Sequence, residues 1–373
     1  MNMPTDNDAL ARVLDDIVGP EARSVDTDGI FPRRGLDALG EAGILGLTVA
    51  KPLGGGGNLA DAVDVVRRLA EVCGSTAMVV LMHYAATAVL DRYGDEEVRQ
   101  AIGSGRHLTT LAFSEAGSRS HFWAPLSTAT STGDGVRLDA RKSWITAAGE
   151  ADSYVWSSRP VAADGPMSLW LVPAAAPGLS APGEFDGLGL RGNRSAPIAA
   201  AGVTVPEDAA LGADGAGLDV ALELVLPWFL VLSGAFGVGL MEAVVAESGT
   251  HLTTTRLEHL GQRLVDQPLA RADHARMRIA TDQVAALLDT AVAAIASGRP
   301  EAPLRALEVK AAAGEASIGV TELAMKVCGG AAFRKELGIE RRFRDAQAAR
   351  VMAPTTDALL DFVGRAINGM ALL

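Results

Sequence analysis

Apolar residues recur every three or four positions through ALARVLDDIV, GLDALGEAGILG and LADAVDVVRRLAEVCGSTAMVVLMHYAATAVLDRYG, which predicts a helical zone over residues 1–107. The glycine run Gly54–Gly57 interrupts it. With no strand pattern before it and no Gly-Lys-Ser/Thr after it, the run reads as a loop and not as a phosphate cradle. Over residues 108–210 the texture changes. LTTLAFSE, VRLDARKSWITAA, SYVWSSRP, MSLWLVPA and APIAAAGVTVPED alternate in polarity between turn residues, which predicts a compact β domain. Helical spacing returns over 211–373. In PLRALEVKAAAGEASIGVTELAMKVCGG, Leu304, Leu307, Ala311, Ile318 and Met325 share one face, with Glu308 and Lys310 placed off it. The expected fold class is α+β, in the order helices, β domain, helices.

One stretch tests a soluble reading. Leu224 to Met241 reads LVLPWFLVLSGAFGVGLM without a charge, near the length needed to cross a bilayer. Pro227, Ser233 and three glycines interrupt it and Glu223 precedes it, so a buried core helix is expected, and no membrane. A hydrophobic content of 49% with 21% charged residues over 373 positions allows a large core and excludes a disordered chain. Lys+Arg 33 against Asp+Glu 45 gives a net charge of -12, which argues against nucleic acid as a partner. Anionic ligands must then be met by local Arg, Lys or backbone donors. Cys73 and Cys328 are too few for a disulfide framework and lack metal-ligand spacing, so no metal site and a cytoplasmic setting are expected. The polar, acidic opening MNMPTDNDALARVLDD gives no expectation of secretion.

Four landmarks then fall in order: Ser114-Glu115 in LAFSEAGSRSHF; Lys142-Ser-Trp-Ile-Thr146; Gly189-Leu-Arg-Gly192 followed by Val203-Thr-Val-Pro206; and Cys328-Gly-Gly330, Glu340 and Arg344-Asp345-Ala346. With them the chain resembles the acyl-CoA dehydrogenase superfamily of flavoproteins over essentially its full length. The resemblance implies an N-terminal helical domain (1–107), a middle β-barrel or sandwich (108–210) and a C-terminal four-helix bundle (211–373). It also implies bound FAD, with FMN as the alternative, and a homo-oligomer, dimer or tetramer. Phe113 and Ser114 would meet the pyrimidine side of the isoalloxazine, with Trp144 and Thr146 near N5, a neutral shell that tunes where charge sits on the reduced ring. Gly329 and Gly330 would admit a neighbouring subunit's cofactor phosphates to bare backbone, and Thr355 would meet the nucleotide.

Departures from the family pattern cluster at the same site. The carboxylate that removes the substrate α-proton has its usual position at Ala353, in Met352-Ala353-Pro354-Thr355, and its alternative position at Pro227, beside Trp228 and Phe229. After Ser114-Glu115, Ser120 falls at the family's Ser and His121 at its Asp, followed by Phe122 and Trp123. His83 lies on the helix that approaches the substrate pocket in this family. The nucleotide-pairing Arg is matched by Arg256 only with a register change, and Lys326 replaces the usual Gln before Gly329-Gly330, where it could compensate in charge.

Three functions follow from that pattern. The first is an oxygen-using monooxygenase or oxidase acting on a small molecule, resembling the flavin-dependent monooxygenases on this fold. It needs no carboxylate base, only a dry pocket and a hydrogen-bond donor such as His83, His121, Ser120 or Thr146, with Trp123, Trp228, Phe229 and Ala353 lining the pocket and a flavin reductase as partner. A second is α,β-dehydrogenation of an acyl thioester with a surrogate base or a catalytic partner subunit. The third is a non-catalytic flavin-binding subunit, which the retained Trp-Ile-Thr and Gly-Gly landmarks disfavour.

Overall fold

The computed structural model describes residues 7–118 and 121–372. Their contacts divide into two compact units. One comprises residues up to Val65 with Met78–Asp186 and Arg191–Phe229; the other comprises Val66–Ala77, Gly187–Leu190 and the chain from Leu230 onward.

The N-terminal helices are α1 (Asn7–Val13), α2 (Gly19–Thr27), α3 (Arg33–Glu41), α4 (Leu59–Val72), α5 (Gly74–Tyr93) and α6 (Glu96–Gly103). Local chemistry sets their ends. Asp95 caps α6 by accepting from Val98 N at 2.8 Å, and Glu96 and Glu97 in its first turn oppose the helix dipole. Only Cys73 separates α4 from α5. From Gly74 to Leu90, α5 is buried almost continuously, so its apolar residues show no single stripe.

The middle strands are β1 (Thr109–Ala112), β2 (Thr128–Thr132), β3 (Gly135–Ile145), β4 (Ser153–Ser158), β5 (Ser168–Pro173), β6 (Leu179–Ser180) and β7 (Ala196–Val205). They make a three-stranded sheet, β1-β4-β5, in which β1 and β4 run parallel, and an antiparallel four-stranded sheet, β2-β3-β7-β6. Five of these strands fall in the runs singled out from alternation; β2 and the two-residue β6 do not. Gly135, at φ 141, makes the β2–β3 turn where an added Cβ would collide with the carbonyl of Val205. The β3–β7 register slips twice, between Leu138 and Ala140 and between Lys142 and Ile145. The second slip shapes the site described below.

A short helix α7 (Gly217–Val220) and a π-helical turn (Ala221–Val225) lead into α8 (Leu226–Thr254). Then come the two-residue strands β8 (Arg256–Leu257) and β9 (Gln262–Arg263), followed by α9 (Pro268–Ala296), α10 (Ala302–Cys328), α11 (Ile339–Val351) and α12 (Thr356–Ile367). The uncharged run is the core of α8, and 78% of the apolar window that contains it is buried. Its glycines let neighbours approach: a Cβ on Gly234 would lie 2.9 Å from Val309, one on Gly237 3.0 Å from Ala313, and one on Gly239 would collide with the carbonyl of Arg67. Helix α10 packs on α9, α11 and α12. The face on which spacing placed Leu307, Ala311 and Ile318 is buried as expected, but Lys310 is buried too, at 2% exposure. A second stripe, Ala306, Lys310, Gly314, Ser317 and Thr321, is buried on the same helix.

Candidate active site

Strand β1 runs out into Phe113, Ser114 and Glu115, which cross to β3. Glu115 and Lys142 form a β-bridge, Ser143 N donates to Ser114 O at 3.0 Å, and Ala116 N donates to Arg141 O at 3.2 Å. Beneath this crossing lies an ion pair. Lys142 Nζ donates to Glu115 Oε1 at 2.6 Å, to Ser157 O at 2.7 Å and to Ser157 Oγ at 3.0 Å. The Glu115 carboxylate also accepts from the backbone N–H groups of Leu126 and Ser127 and from the Ser127 hydroxyl. Burial pulls the Lys142 ammonium down to about 8, opposed by the Glu115 charge. Burial by itself raises the Glu115 carboxyl, but the Lys142 charge and the hydrogen bonds outweigh it and leave the group below the ordinary range. The pair is therefore ionised at neutral pH.

Immediately after Lys142, the register slip turns the backbone at Trp144 to φ 57, and Ala147 takes the same value. A bulky residue in that region costs about 1–3 kcal/mol and persists only where its surroundings enforce it. The slip leaves the Trp144 indole 71% exposed, edge-on to Phe185 at 6.4 Å. Thr146 is buried with its Oγ1 3.2 Å from Ser195 Oγ, and Phe113 is buried beside the half-buried Ser114. The structure thus brings Phe113, Ser114, Trp144 and Thr146 to one end of the middle sheets. A strained, solvent-facing indole next to neutral hydroxyl and main-chain groups fits a planar heteroaromatic ring such as a flavin.

The proposed histidines have different fates. His83 accepts from Thr109 N on Nδ1 at 3.1 Å, and Nε2 therefore carries the proton that it gives to Leu45 O at 3.0 Å. It is fully buried, and burial lowers it to about 4. As a catalytic donor His83 is thus a misreading, because it is a neutral pin with both nitrogens committed. His121 is exposed, with Nδ1 3.1 Å from Ser118 O and its ring edge-on to Trp123 at 5.0 Å; Trp123 in turn meets Phe122 at 5.2 Å. Ser120, like Arg119, lies outside the described residues. Trp228 and Pro227 are half-buried and Phe229 is buried in the first turn of α8, just after the π-helical turn.

In the second unit, Gly329 and Gly330 follow α10. Gly329 has φ 56 and ψ -134, and an added Cβ at either glycine would meet no atom of the chain within 4 Å. Such bare backbone suits the approach of a phosphate group. Lys326 does not offer the free compensating charge expected of it. Its ammonium lies 2.7 Å from Asp273, which also holds Arg276 at 2.5 Å. Arg256 is an exposed residue of the β8–β9 hairpin, paired across it with Arg263. Thr355 caps α12 by accepting from Ala358 N at 3.4 Å, and Ala353 is half-buried two residues earlier.

Reading the sequence for chemistry missed four residues. Glu115 and Lys142 were visible within motifs but carried no role, and Ser195 has no signal apart from its contact. Lys310 was missed because one-face periodicity leaves a residue off the apolar stripe without an environment; the clue was the second stripe of small residues that contains it.

Three family models match in succession: "Acyl-CoA dehydrogenase, N-terminal domain" over residues 7–104, "middle domain" over 110–203 and "C-terminal domain" over 215–368. The human mitochondrial short-chain specific acyl-CoA dehydrogenase is 27% identical over 351 residues, covering 91% of this chain and 83% of that protein. Butyryl-CoA dehydrogenase from Megasphaera elsdenii superposes with a TM-score of 0.92 at 20% identity, covering 99% of both chains. The prolyl acyl carrier protein oxidase AnaB superposes with a TM-score of 0.88 at 18% identity, covering 98% of this chain and 99% of that one. Succession of the three models, near-complete coverage and the retained middle-domain geometry agree that the chain belongs to the acyl-CoA dehydrogenase family of FAD-dependent oxidoreductases.

Proposed function

We propose that the protein introduces an α,β double bond into a small acyl thioester, held on CoA or on a carrier protein. The observation that carries this reading is the succession of three acyl-CoA dehydrogenase models along the chain, together with a corner of Trp144, Ser114 and Thr146 suited to a flavin. Of the four donors that oxygenation could use, His83 is withdrawn, having neither a free proton nor a free lone pair, which leaves His121, Ser120 and Thr146. The relatives named acyl-CoA dehydrogenase and the carrier-protein oxidase among the structural neighbours support the thioester reading.

Bound FAD supplies the two-electron acceptor, which would take the β-hydrogen with its bonding pair. The chain itself would have to take the α-proton onto a carboxylate. Trp144 would wall the ring, while Ser114 and Thr146 would orient it through neutral groups that add no competing charge. Neither Ala353 nor Pro227 can take the proton. Our candidate is Glu223, an exposed carboxylate in the π-helical turn, four residues before Pro227 on the same continuous helical run. We place the enzyme in the cytoplasm as a homo-oligomer.

Anaerobic titration of the FAD-loaded protein with acyl-CoA and acyl-pantetheine thioesters tests this. Bleaching of the visible flavin band, lost in Glu223→Gln, is the expected result. A second reading, oxygenation, is favoured by the vacated base positions and the aromatic loop His121-Phe122-Trp123. Absence of bleaching by every thioester, with rapid oxygen uptake by the chemically reduced protein, would establish that reading instead.

A further inference from the structure

Only four residues, Met352 to Thr355, join α11 to α12. Both of their ends are caps. Met352 N closes α11 on Ala348 O at 3.0 Å, and the Thr355 hydroxyl opens α12. From the side, α10 reaches this segment with Lys310, whose Nζ donates to Pro354 O at 2.7 Å and to Met352 O at 3.1 Å. These two carbonyls flank Ala353. One turn further along α10, a Cβ on Gly314 would lie 3.1 Å from the hydroxyl of Thr356, so the helix also meets the far end of the segment at close range.

Packing alone does not call for a lysine here. Burial pulls its ammonium down to about 7, which records how poorly the interior solvates the charge. A methionine would fill similar volume without that penalty. What the lysine adds is direction. Two donors from one nitrogen orient the carbonyls on both sides of a single residue, and a cation at the C-terminus of α11 is favoured by the helix dipole.

We infer that Lys310 is a positioning residue for the proposed dehydrogenation: by holding the carbonyls of Met352 and Pro354 it fixes the backbone at Ala353, and so the wall which that residue presents to the acyl thioester. The inference rests on the thioester reading above, and its tests are chosen so that the two can fail separately.

A carboxylate introduced by Ala353→Glu reports on the placement of position 353. Acyl-CoA bleaching by the FAD-loaded Glu223→Gln/Ala353→Glu protein, in which the carboxylate at 353 replaces the proposed native base, is expected to slow by roughly a hundredfold when Lys310→Met is added, at unchanged thioester Kd, because catalytic groups tolerate little misplacement. Lys310→Gln, which retains a donor, should recover part of that loss. Equal rates in the Lys310 and Lys310→Met backgrounds would overturn the inference. Amide hydrogen exchange needs no substrate. In Lys310→Met the amides of residues 352–358 should exchange at least about tenfold faster while the middle of α10 is unchanged. Unchanged exchange at 352–358 would also overturn it. Failure of both the native protein and Ala353→Glu to bleach with any thioester, alongside accelerated exchange in Lys310→Met, would sink the thioester reading and keep Lys310 as the anchor of the segment. Should Lys310→Met not fold, the exchange comparison is made with Lys310→Gln, where a smaller acceleration at 352–358 is expected and none would count against the anchor.

Discussion

Lys142 Nζ lies 2.6 Å from Glu115 Oε1, with the two side chains 0% and 3% exposed. That bond ties the segment after β1, the end of β3 and the Leu126–Ser127 segment that leads into β2 into one rigid corner, from which Trp144 projects. Removing one charge strands the other. Lys142→Met is expected to destabilise the protein by about 3–5 kcal/mol, and the double variant Glu115→Leu/Lys142→Met to recover part of this. Urea unfolding of the double-mutant cycle measures the coupling. Additive losses would show that the corner is held by something else.

His83 makes stability depend on pH. Its folded value, about 4, lies below the ordinary 6.5, so between those values the unfolded chain binds the extra proton and the folded chain does not. The contribution is complete above pH 6.5 and is lost as pH falls towards 4. His83→Phe leaves Leu45 O and Thr109 N without their partner and should cost roughly 2–5 kcal/mol at pH 7. Its melting temperature should fall less steeply than wild type between those pH values, which calorimetry across the range would show.

Trp144 exchanges stability for binding. Trp144→Gly relieves the positive φ and should raise the stability of the cofactor-free protein by about 1 kcal/mol. The same change removes the exposed indole, so FAD should dissociate more readily. Thermal melts with and without added FAD separate the two effects; a stabilised variant that retains FAD as tightly as wild type would remove Trp144 from the cofactor shell.

Glycines in helices divide by their surroundings. Gly239→Ala drives a methyl into the carbonyl of Arg67 and should destabilise by several kcal/mol, whereas Gly364→Ala in α12 meets nothing within 4 Å and should stabilise by about 1 kcal/mol. Chemical denaturation of both variants checks the contrast.

The order of helices and strands was legible because burial on one face leaves a period in the sequence, as in Leu304, Leu307 and Ala311 or in the alternation of β3. Period says little once an element is buried on several sides. Lys310 was therefore only placed off the apolar face, and α8 could be recognised as a core helix only from its interruptions. Motif resemblance pointed to Trp144 and Thr146 but not to what holds them. The partners of His83, Leu45 and Thr109, lie 38 and 26 residues away in sequence, and no local pattern announces contacts made by tertiary folding. That the resemblance finds no carboxylate at Ala353 was plain from the sequence, while the lysine that grips the peptides on either side of it was not.

The three glycine contacts of α8 constrain how this scaffold can change. Gly234 and Gly237 meet the Val309 and Ala313 side chains of α10, and Gly239 meets the Arg67 carbonyl of α4, so sliding or rotating α8 by one residue would drive its side chains into those neighbours. The helices therefore act as a fixed ruler, and if the proposed site is right, substrate preference can vary only in short segments such as the His121 loop and Met352–Thr355. An engineer seeking a new substrate should graft those segments and leave the ruler untouched.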